Sequence, residues 1–347
     1  MTAPALDPSK NDRVKPLPGS PRGSFAATVR ENRHLCTDHY RLILSLERFP
    51  ASSPGQFVQL DCRDPAVTET QAQPDTTPHE FEWGPGAKRP ALSDADFLGP
   101  IAYLRRPFSI ADHRVLSDGS AEIDIIHRVV GRGTHLLARL QPGQRLSLLG
   151  PLGIGFAVPP TLQTACLVGG GVGIPPMLYF AKTLAASSAA SIAFLGAQRK
   201  DLLAVTLDAS APPPSPAGEP VMNVAELLPH RAAAVITTDD GSLGMKGYVT
   251  QALRLFLEKQ RAAGADLQRI IVYCCGPTPM MKATAKVAAE FDVACQVSLE
   301  QPMACGMGTC QSCIIKHRPH VAPVGTDWSY KLTCTHGPVF DTRDIVW

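Results

Sequence analysis

The sequence predicts a multidomain β + α/β chain: an antiparallel β-barrel, then a doubly wound parallel sheet, then a small C-terminal lobe. Three observations carry this. From Phe25 up to the GPLGIGF segment at 150–156, short runs alternate apolar and polar residues at every second position. Beyond it, short apolar runs alternate with helix-length stretches. Near the C-terminus four cysteines crowd together. A chain of 347 residues has room for two or three domains, each with its own core.

Residues 1–22 are rich in proline and charge, with few large apolar groups, and are expected to be disordered. The barrel is assigned to 23–158. Tyr40, Leu42, Leu44 and Leu46 alternate with their neighbours, Phe57 to Leu60 follows the turn Pro54-Gly55, and Ile123 and Ile125 alternate with Glu122 and Asp124. Between 64 and 104 the pattern fails. That stretch is polar and rich in proline and glycine, and reads as a long insertion packed by its own aromatics, Phe81, Trp83 and Phe97.

The α/β domain is assigned to 159–296. Ala165 to Val168 is a short apolar strand, and Gly169 to Gly173 then opens a helix with Pro175 near its first turn. Further strands are expected at 191–197, 233–238 and 269–274, and a helix at 248–263 with Val249, Leu253, Phe256 and Leu257 on one face. The stretch from Phe156 to Tyr179 carries no charge, but four prolines and a glycine run exclude a membrane-spanning helix. With 33 basic and 31 acidic residues the net charge is only +2, which points to neither nucleic acid nor a membrane surface. The polar, Pro-rich N-terminus lacks the apolar core of a secretory signal, so a cytoplasmic location is expected.

Chemistry first shows at LRRPFSIAD. Arg106, Pro107, Phe108 and Ser109 place a guanidinium, a fixed φ, a flat apolar ring and a hydroxyl at one strand end, groups that suit a flavin nucleotide. Gly133 and Thr134 stand at a helix start, where free N–H groups hold a second phosphate, and His127 and Arg128 precede them on a strand. An ordinary half-exposed strand position is the competing reading of His127. In the α/β domain, ligands lie at the C-terminal strand ends. The loop GGGVG, with Gly170, Gly171 and Gly173, is not a dinucleotide fingerprint by itself, but Cys275, Gly276 and Pro277 end another strand and face it, so the two loops can hold a pyridine nucleotide. Arg199 and Lys200 follow the second strand; they suit either a 2′-phosphate or plain solvent, which leaves NAD against NADP open.

The lobe at 297–347 holds Cys305, Cys310, Cys313 and Cys334, spaced C-x4-C-x2-C with a distant fourth, the plant-type arrangement for a 2Fe-2S cluster. Gly306 and Gly308 let backbone N–H groups approach the sulfurs. Zinc and disulfides are the competing readings. Zinc prefers paired C-x2-4-C hooks, of which Cys310 and Cys313 form only one, and disulfides need an oxidising compartment. The other six cysteines are scattered and read as small buried hydrophobes.

In this order, barrel, RPFS, GGGVG, CGP and cysteine cluster resemble the ferredoxin-NADP reductase superfamily. GPLGIGF, TDDGSLGMKGYVT, MACGMGTCQSC and CTHGPVFD narrow the resemblance to the electron-transfer subunit of the NAD-linked, type B dihydroorotate dehydrogenases. The resemblance implies FAD on the barrel, NAD on the α/β domain and a 2Fe-2S cluster in the C-terminal lobe. It also implies a separate FMN-containing dihydroorotate dehydrogenase catalytic subunit as partner, in pyrimidine (UMP) biosynthesis. Arg106 to Ser109, then Ile126, His127 and Arg128, then Gly133 and Thr134 fall where the family contacts FAD, and the four cysteines fall on its cluster ligands. The insertion, the N-terminus and the long loop between Cys313 and Cys334 depart from the family pattern.

Hydride carries two electrons and an iron-sulfur cluster passes one, so a flavin must stand between them. The expected activity is therefore that of an oxidoreductase subunit, with no residue of this chain acting on dihydroorotate. Two other readings share these features: a reductase subunit of a hydrogenase, sulfite reductase or oxygenase system, and a redox sensor without turnover.

Overall fold

The computed structural model describes residues 22–62 and 104–347, apart from 322, 324 and 326. The expected disordered N-terminus and almost all of the 64–104 insertion lie outside the described residues.

Period-two alternation builds the first sheet. Its strands are β1 (Gly23–Cys36), β2 (His39–Leu46), β3 (Phe57–Leu60), β4 (Arg106–Ser109), β5 (Asp112–Val115), β6 (Ala121–Arg128) and β7 (Arg145–Leu152), with helix α1 (Arg132–Arg139) between the last two. Every pairing is antiparallel, in the order β4-β3-β7-β1-β2-β6-β5, and β4 curls round to lie against β6. Leu42, Leu44 and Leu46 point inward with Val29, Ile123, Ile125 and Leu148. Each such side chain contributes roughly 1.5–3 kcal/mol by leaving water. Asn32 closes α1 at its C-terminal end, donating from Nδ2 to the Leu137 and Leu140 carbonyls at 2.9 Å each.

The alternation of Glu122 and Asp124 with the isoleucines does not carry them to solvent. Both are buried, because the sheet covers them with cations. Arg41 donates to Asp124 from Nε at 2.8 Å, Arg114 reaches Asp124 at 2.5 Å and Glu122 at 3.2 Å, and Arg30 pairs with Glu122. A buried carboxylate is tolerable only when paired in this way.

The second sheet comprises β8 (Thr164–Gly170), β9 (Ala190–Ala197), β10 (Ala233–Thr238), β11 (Met245–Lys246), β12 (Ile270–Cys275) and β13 (Ala294–Ser298), all parallel, in the order β11-β10-β9-β8-β12-β13. The winding runs outward from β8 in one direction and resumes at β12 on its other side, which makes the gap above β8 and β12 the switch point where such sheets bind ligands. Helix α2 (Ile174–Leu184) packs on one face; α3 (Val249–Ala262) and α4 (Thr278–Glu290) pack on the other. Pro175 and Pro176 occupy the first turn of α2, where no intrahelical N–H is needed. The uncharged run from Phe156 to Tyr179 thus becomes a loop, β8 and the start of α2. Among the described residues no helix is long and apolar enough to cross a membrane.

After β13 the chain forms the cysteine loop, the antiparallel hairpin of β14 (Ile314–His317) and β15 (Ser329–Leu332), the short α5 (Thr333–His336) and β16 (Val339–Asp341). Strand β16 returns to pair antiparallel with β13, so the lobe is sewn onto the edge of the parallel sheet. Two polar side chains of α2 join that sheet to the barrel. Lys182 Nζ donates to Asp112 Oδ1 at 2.6 Å and to the His113 carbonyl at 3.0 Å, and Tyr179 donates its hydroxyl to the Ser52 carbonyl at 2.8 Å.

Candidate functional site

A cavity of about 1390 Å³ opens between the two sheets. Its barrel side is walled by Arg106, Pro107, Phe108 and Ser109 of β4, by Ile126, His127 and Arg128 of β6, and by Gly133 and Thr134 at the start of α1. Its other side is walled by Gly170, Gly171, Cys275 and Pro277. The fold thus brings thirteen of the fifteen nucleotide-site residues expected from sequence to one space; Gly173 and Gly276 stand behind the wall. A Cβ on Gly173 would lie 2.1 Å from the Cys275 carbonyl oxygen and 2.5 Å from the Gly276 nitrogen, so this glycine lets the two strand-end loops cross in contact.

The barrel wall has the character of an anion and ring site. Arg106 donates to the Leu104 carbonyl at 2.8 Å and lines the cavity. Thr134 is turned onto its own helix start: its hydroxyl donates to the Gly131 carbonyl at 2.9 Å and accepts from the Val130 and Gly131 N–H groups at 2.9 and 3.2 Å. Phe108 stands edge-on to His127, with centroids 6.0 Å apart. His127 is fully buried, not half-exposed, and burial with His39 nearby lowers it to about 4, so its ring is neutral. Neither ring nitrogen of His127 has a hydrogen-bond partner among the described residues.

The other wall contains residues that the sequence reading passed over. Ser298 ends β13 and Leu299 and Glu300 follow it, Gly196, Ala197 and Gln198 end or follow β9, and Asp239 follows β10. All lie at C-terminal strand ends, and that rule would have found them. Glu300 opens onto the cavity's own solvent, and the protein around it raises its carboxyl above the ordinary range. Burial pushes the Cys275 thiol well above its usual range, helped by the Glu300 charge, so it stays protonated.

Cys313 and Cys334 are buried together, and Cys305 and Cys310 lie earlier on the same loop, joined by the Cys310 N–H to Cys305 Sγ contact at 3.4 Å. Among the described residues no three His, Cys, Asp or Glu side chains form a site for a single metal ion. Four thiolates spaced C-x4-C-x2-C with a distant fourth suit two irons. The Met307 and Cys310 N–H groups both donate to Cys305 Sγ at 3.4 Å, and the Gly308 N–H donates to Cys334. Gly306 and Gly308 hold φ of 68° and 89°, the left-handed turns that aim these donors inward. Ser312 holds the Cys310 thiol down to about 6, whereas burial pushes Cys334 up to about 12. Cys313 and Cys334 are buried against Phe57 and Leu152 of the barrel, with Met303 alongside; Phe57 and Met303 are also part of the cavity wall.

Comparison with known proteins agrees with this arrangement. Residues 300–346 match the model of the iron-sulfur cluster binding domain of dihydroorotate dehydrogenase B, and 167–286 that of an oxidoreductase NAD-binding domain. The dihydroorotate dehydrogenase B (NAD(+)) electron transfer subunit of Streptococcus mutans is 36% identical over 246 residues, 70% of this chain and 81% of the relative. The chain belongs to this family. Its Caldanaerobacter subterraneus member is 29% identical over 325 residues, 94% of this chain and 99% of the relative. Among solved structures, the NADH-dependent reduced ferredoxin-NADP oxidoreductase shares the fold with a TM-score of 0.64 at 24% identity, over 92% of this chain and 90% of that one. The ferredoxin reductase of carbazole 1,9a-dioxygenase shares it with a TM-score of 0.53 at 19% identity, over 80% and 68%. For a dihydroorotate dehydrogenase B electron transfer subunit, the arrangement sets Phe57 and Met303 both against the buried Cys313 and Cys334 and in the wall of the cavity.

Proposed function

We propose that this chain carries electrons from a dihydroorotate dehydrogenase catalytic subunit containing FMN to NAD+, in the route to pyrimidine nucleotides. In this reading 23–158 is the FAD-binding domain, 159–296 the NAD-binding domain and 297–347 the cluster domain. Arg106, Ser109 and the start of α1 hold the FAD phosphates, Phe108 and His127 bound its rings, and Cys305, Cys310, Cys313 and Cys334 hold a 2Fe-2S cluster. Gly170, Gly171, Cys275 and Pro277 admit NAD from the opposite wall. When bound, the cluster exchanges single electrons, the flavin one or two, and the nicotinamide a hydride.

The packing of Phe57 carries the reading. Phe57 packs with the buried Cys313 and Cys334 and also lines the cavity, so one side-chain layer lies between these cysteines and the flavin site. On the far side Cys310 is exposed, and Met307, Trp328 and Tyr330 of the same lobe are exposed with it. An exposed apolar surface around a redox ligand supports docking of the catalytic partner there.

Anaerobically purified protein should carry one FAD and one 2Fe-2S cluster per chain. Cys310→Ser should lose the cluster absorbance yet still reduce dyes with NADH, because the cavity walls do not include that sulfur. Added to an FMN-containing catalytic subunit, the intact chain should support dihydroorotate-dependent NAD+ reduction and Cys310→Ser should not. Zinc in place of iron, or dihydroorotate oxidation by the isolated chain, would sink the proposal.

A further inference from the structure

Strand β3 turns its two faces to different neighbours. Val58 and Leu60 point into the barrel core, whereas Phe57 packs with the buried Cys313 and Cys334, and Gln59, two positions on, meets the loop that carries Cys305 and Cys310. Gln59 is only 1% exposed, a place where an amide costs free energy unless it is used. Its Nε2 donates to the Ala304 carbonyl at 3.4 Å, and its Oε1, without a partner among the described residues, lies against Gly306. A Cβ on Gly306 would stand 2.7 Å from Gln59 Cδ, 2.8 Å from Oε1 and 2.9 Å from Nε2, so the amide fills the space beside that glycine. The barrel thus grips the chain on both sides of Cys305, at Ala304 and at Gly306.

From Ala304 the bonding continues across the loop to Cys310. The Ala304 N–H donates to Ser312 Oγ at 3.3 Å, and that oxygen stands 3.2 Å from the Pro302 carbonyl and 3.2 Å from Cys310 Sγ. A hydroxyl has one proton and two lone pairs. With the Ala304 N–H on a lone pair, the proton is left for the Pro302 carbonyl or the Cys310 sulfur. A thiolate has no proton to give, so Cys310 as an iron ligand can only accept, and an O–H bond to it takes up part of its negative charge. Cys310 is exposed, but a tethered hydroxyl acts there without the cost of ordering a water.

We infer that Ser312, held through Ala304 by the barrel's Gln59, is the hydroxyl that raises the reduction potential of the cluster at Cys310. Donation to a ligand sulfur favours the electron-rich reduced state, so the hydroxyl makes reduction easier. Gln59 is a positioning residue that acts through Ser312. The inference rests on the four cysteines holding a 2Fe-2S cluster and adds the two side chains that tune it.

The test is a redox titration, followed by electron paramagnetic resonance, of the cluster-loaded chain and its variants, each first checked for iron and sulfide content. Ser312→Ala should lower the midpoint, moving the one-electron equilibrium by about three- to tenfold, about 28–59 mV. Ser312→Thr, which keeps the hydroxyl, should hold the midpoint of the intact chain. Gln59→Leu changes neither a cysteine nor Ser312; it should lower the midpoint by less, and add nothing to Ser312→Ala. That non-additivity marks two residues acting along one path. An unmoved midpoint in Ser312→Ala, equal lowering by threonine and alanine, or a Gln59→Leu effect that persists in full without Ser312 would overturn the inference while leaving the cluster in place. Should Ser312→Ala lose its cluster, Gln59→Leu decides alone, and an unmoved midpoint there overturns the inference. An intact chain with no iron-sulfur signal would sink the cluster reading and this inference with it.

Discussion

His127 shows how much the surroundings of one residue decide. Alternation along β6 marks it only as a strand position, but the folded ring is stacked on Tyr40 at 5.9 Å and closed off by Phe108. A histidine in the unfolded chain titrates near 6.5, and the folded one near 4. Between those values the unfolded chain binds a proton that the folded chain does not, so stability falls as pH drops through this window and is untouched above it. His127→Phe keeps a flat ring in the slot and removes the proton site. Its urea midpoint should fall less than that of the intact protein between about pH 7.5 and about pH 5; equal falls would show that the histidine is protonated in the fold. The buried acids teach the same lesson. Glu122 and Asp124 look like the solvent side of a strand because Arg41, 83 positions from Asp124 in sequence, is not visible as its partner until the sheet forms.

Strands and helices with a strong period were legible at this level. The segments 57–60 and 233–238 appear as β3 and β10 with those bounds, and the helix expected over 248–263 is α3, burying Val249, Leu253, Phe256 and Leu257 as its apolar face requires. Short elements such as β11, β14 and β16 carry two to four residues, too few for a period, and exist because a neighbour supplies their hydrogen bonds. The two nucleotide loops are a case where spacing shows the glycine but not its task. Gly173 has an ordinary negative φ of −85°, so its need is for space rather than for a turn. Gly173→Ala should push the CGP loop away at a cost of about 1–3 kcal/mol, since backbone cannot swing aside as a side chain does. Flavin content should survive, because the barrel wall is untouched, while NADH-to-dye activity should fall sharply. An alanine variant with normal NADH kinetics would mean that the loops have slack.

Across the whole molecule the cavity exists only because two sheets are held at one separation. Helix α2 starts at the glycine loop that lines the cavity and ends at the barrel, where Lys182 and Tyr179 are bonded to it. Burial alone would raise the Asp112 carboxyl; hydrogen bonds from Lys182 and Arg114 outweigh it and hold the group below the ordinary range. Lys182→Met removes one of the two cations and leaves Arg114, so the loss should be about 1–2 kcal/mol, between exposed and fully buried pairs. The cleft should also widen, raising the KM for NADH with flavin content unchanged. A variant that loses stability but keeps its KM would reduce the contact to a simple brace.

The sequence by itself determined the three-part architecture, the four clustered cysteines and thirteen of the residues that line the cavity. These rest on local facts: period, glycine and proline placement, and cysteine spacing within one loop. Only the tertiary structure decided that the walls face each other across one cavity, and that Phe57 and Met303 form the layer between cavity and cysteines. It also decided that Asp201, the partner of Arg199, is held by the barrel's Thr37. Each of these depends on groups far apart along the chain, and distance in sequence says nothing about distance in space until the sheets have closed.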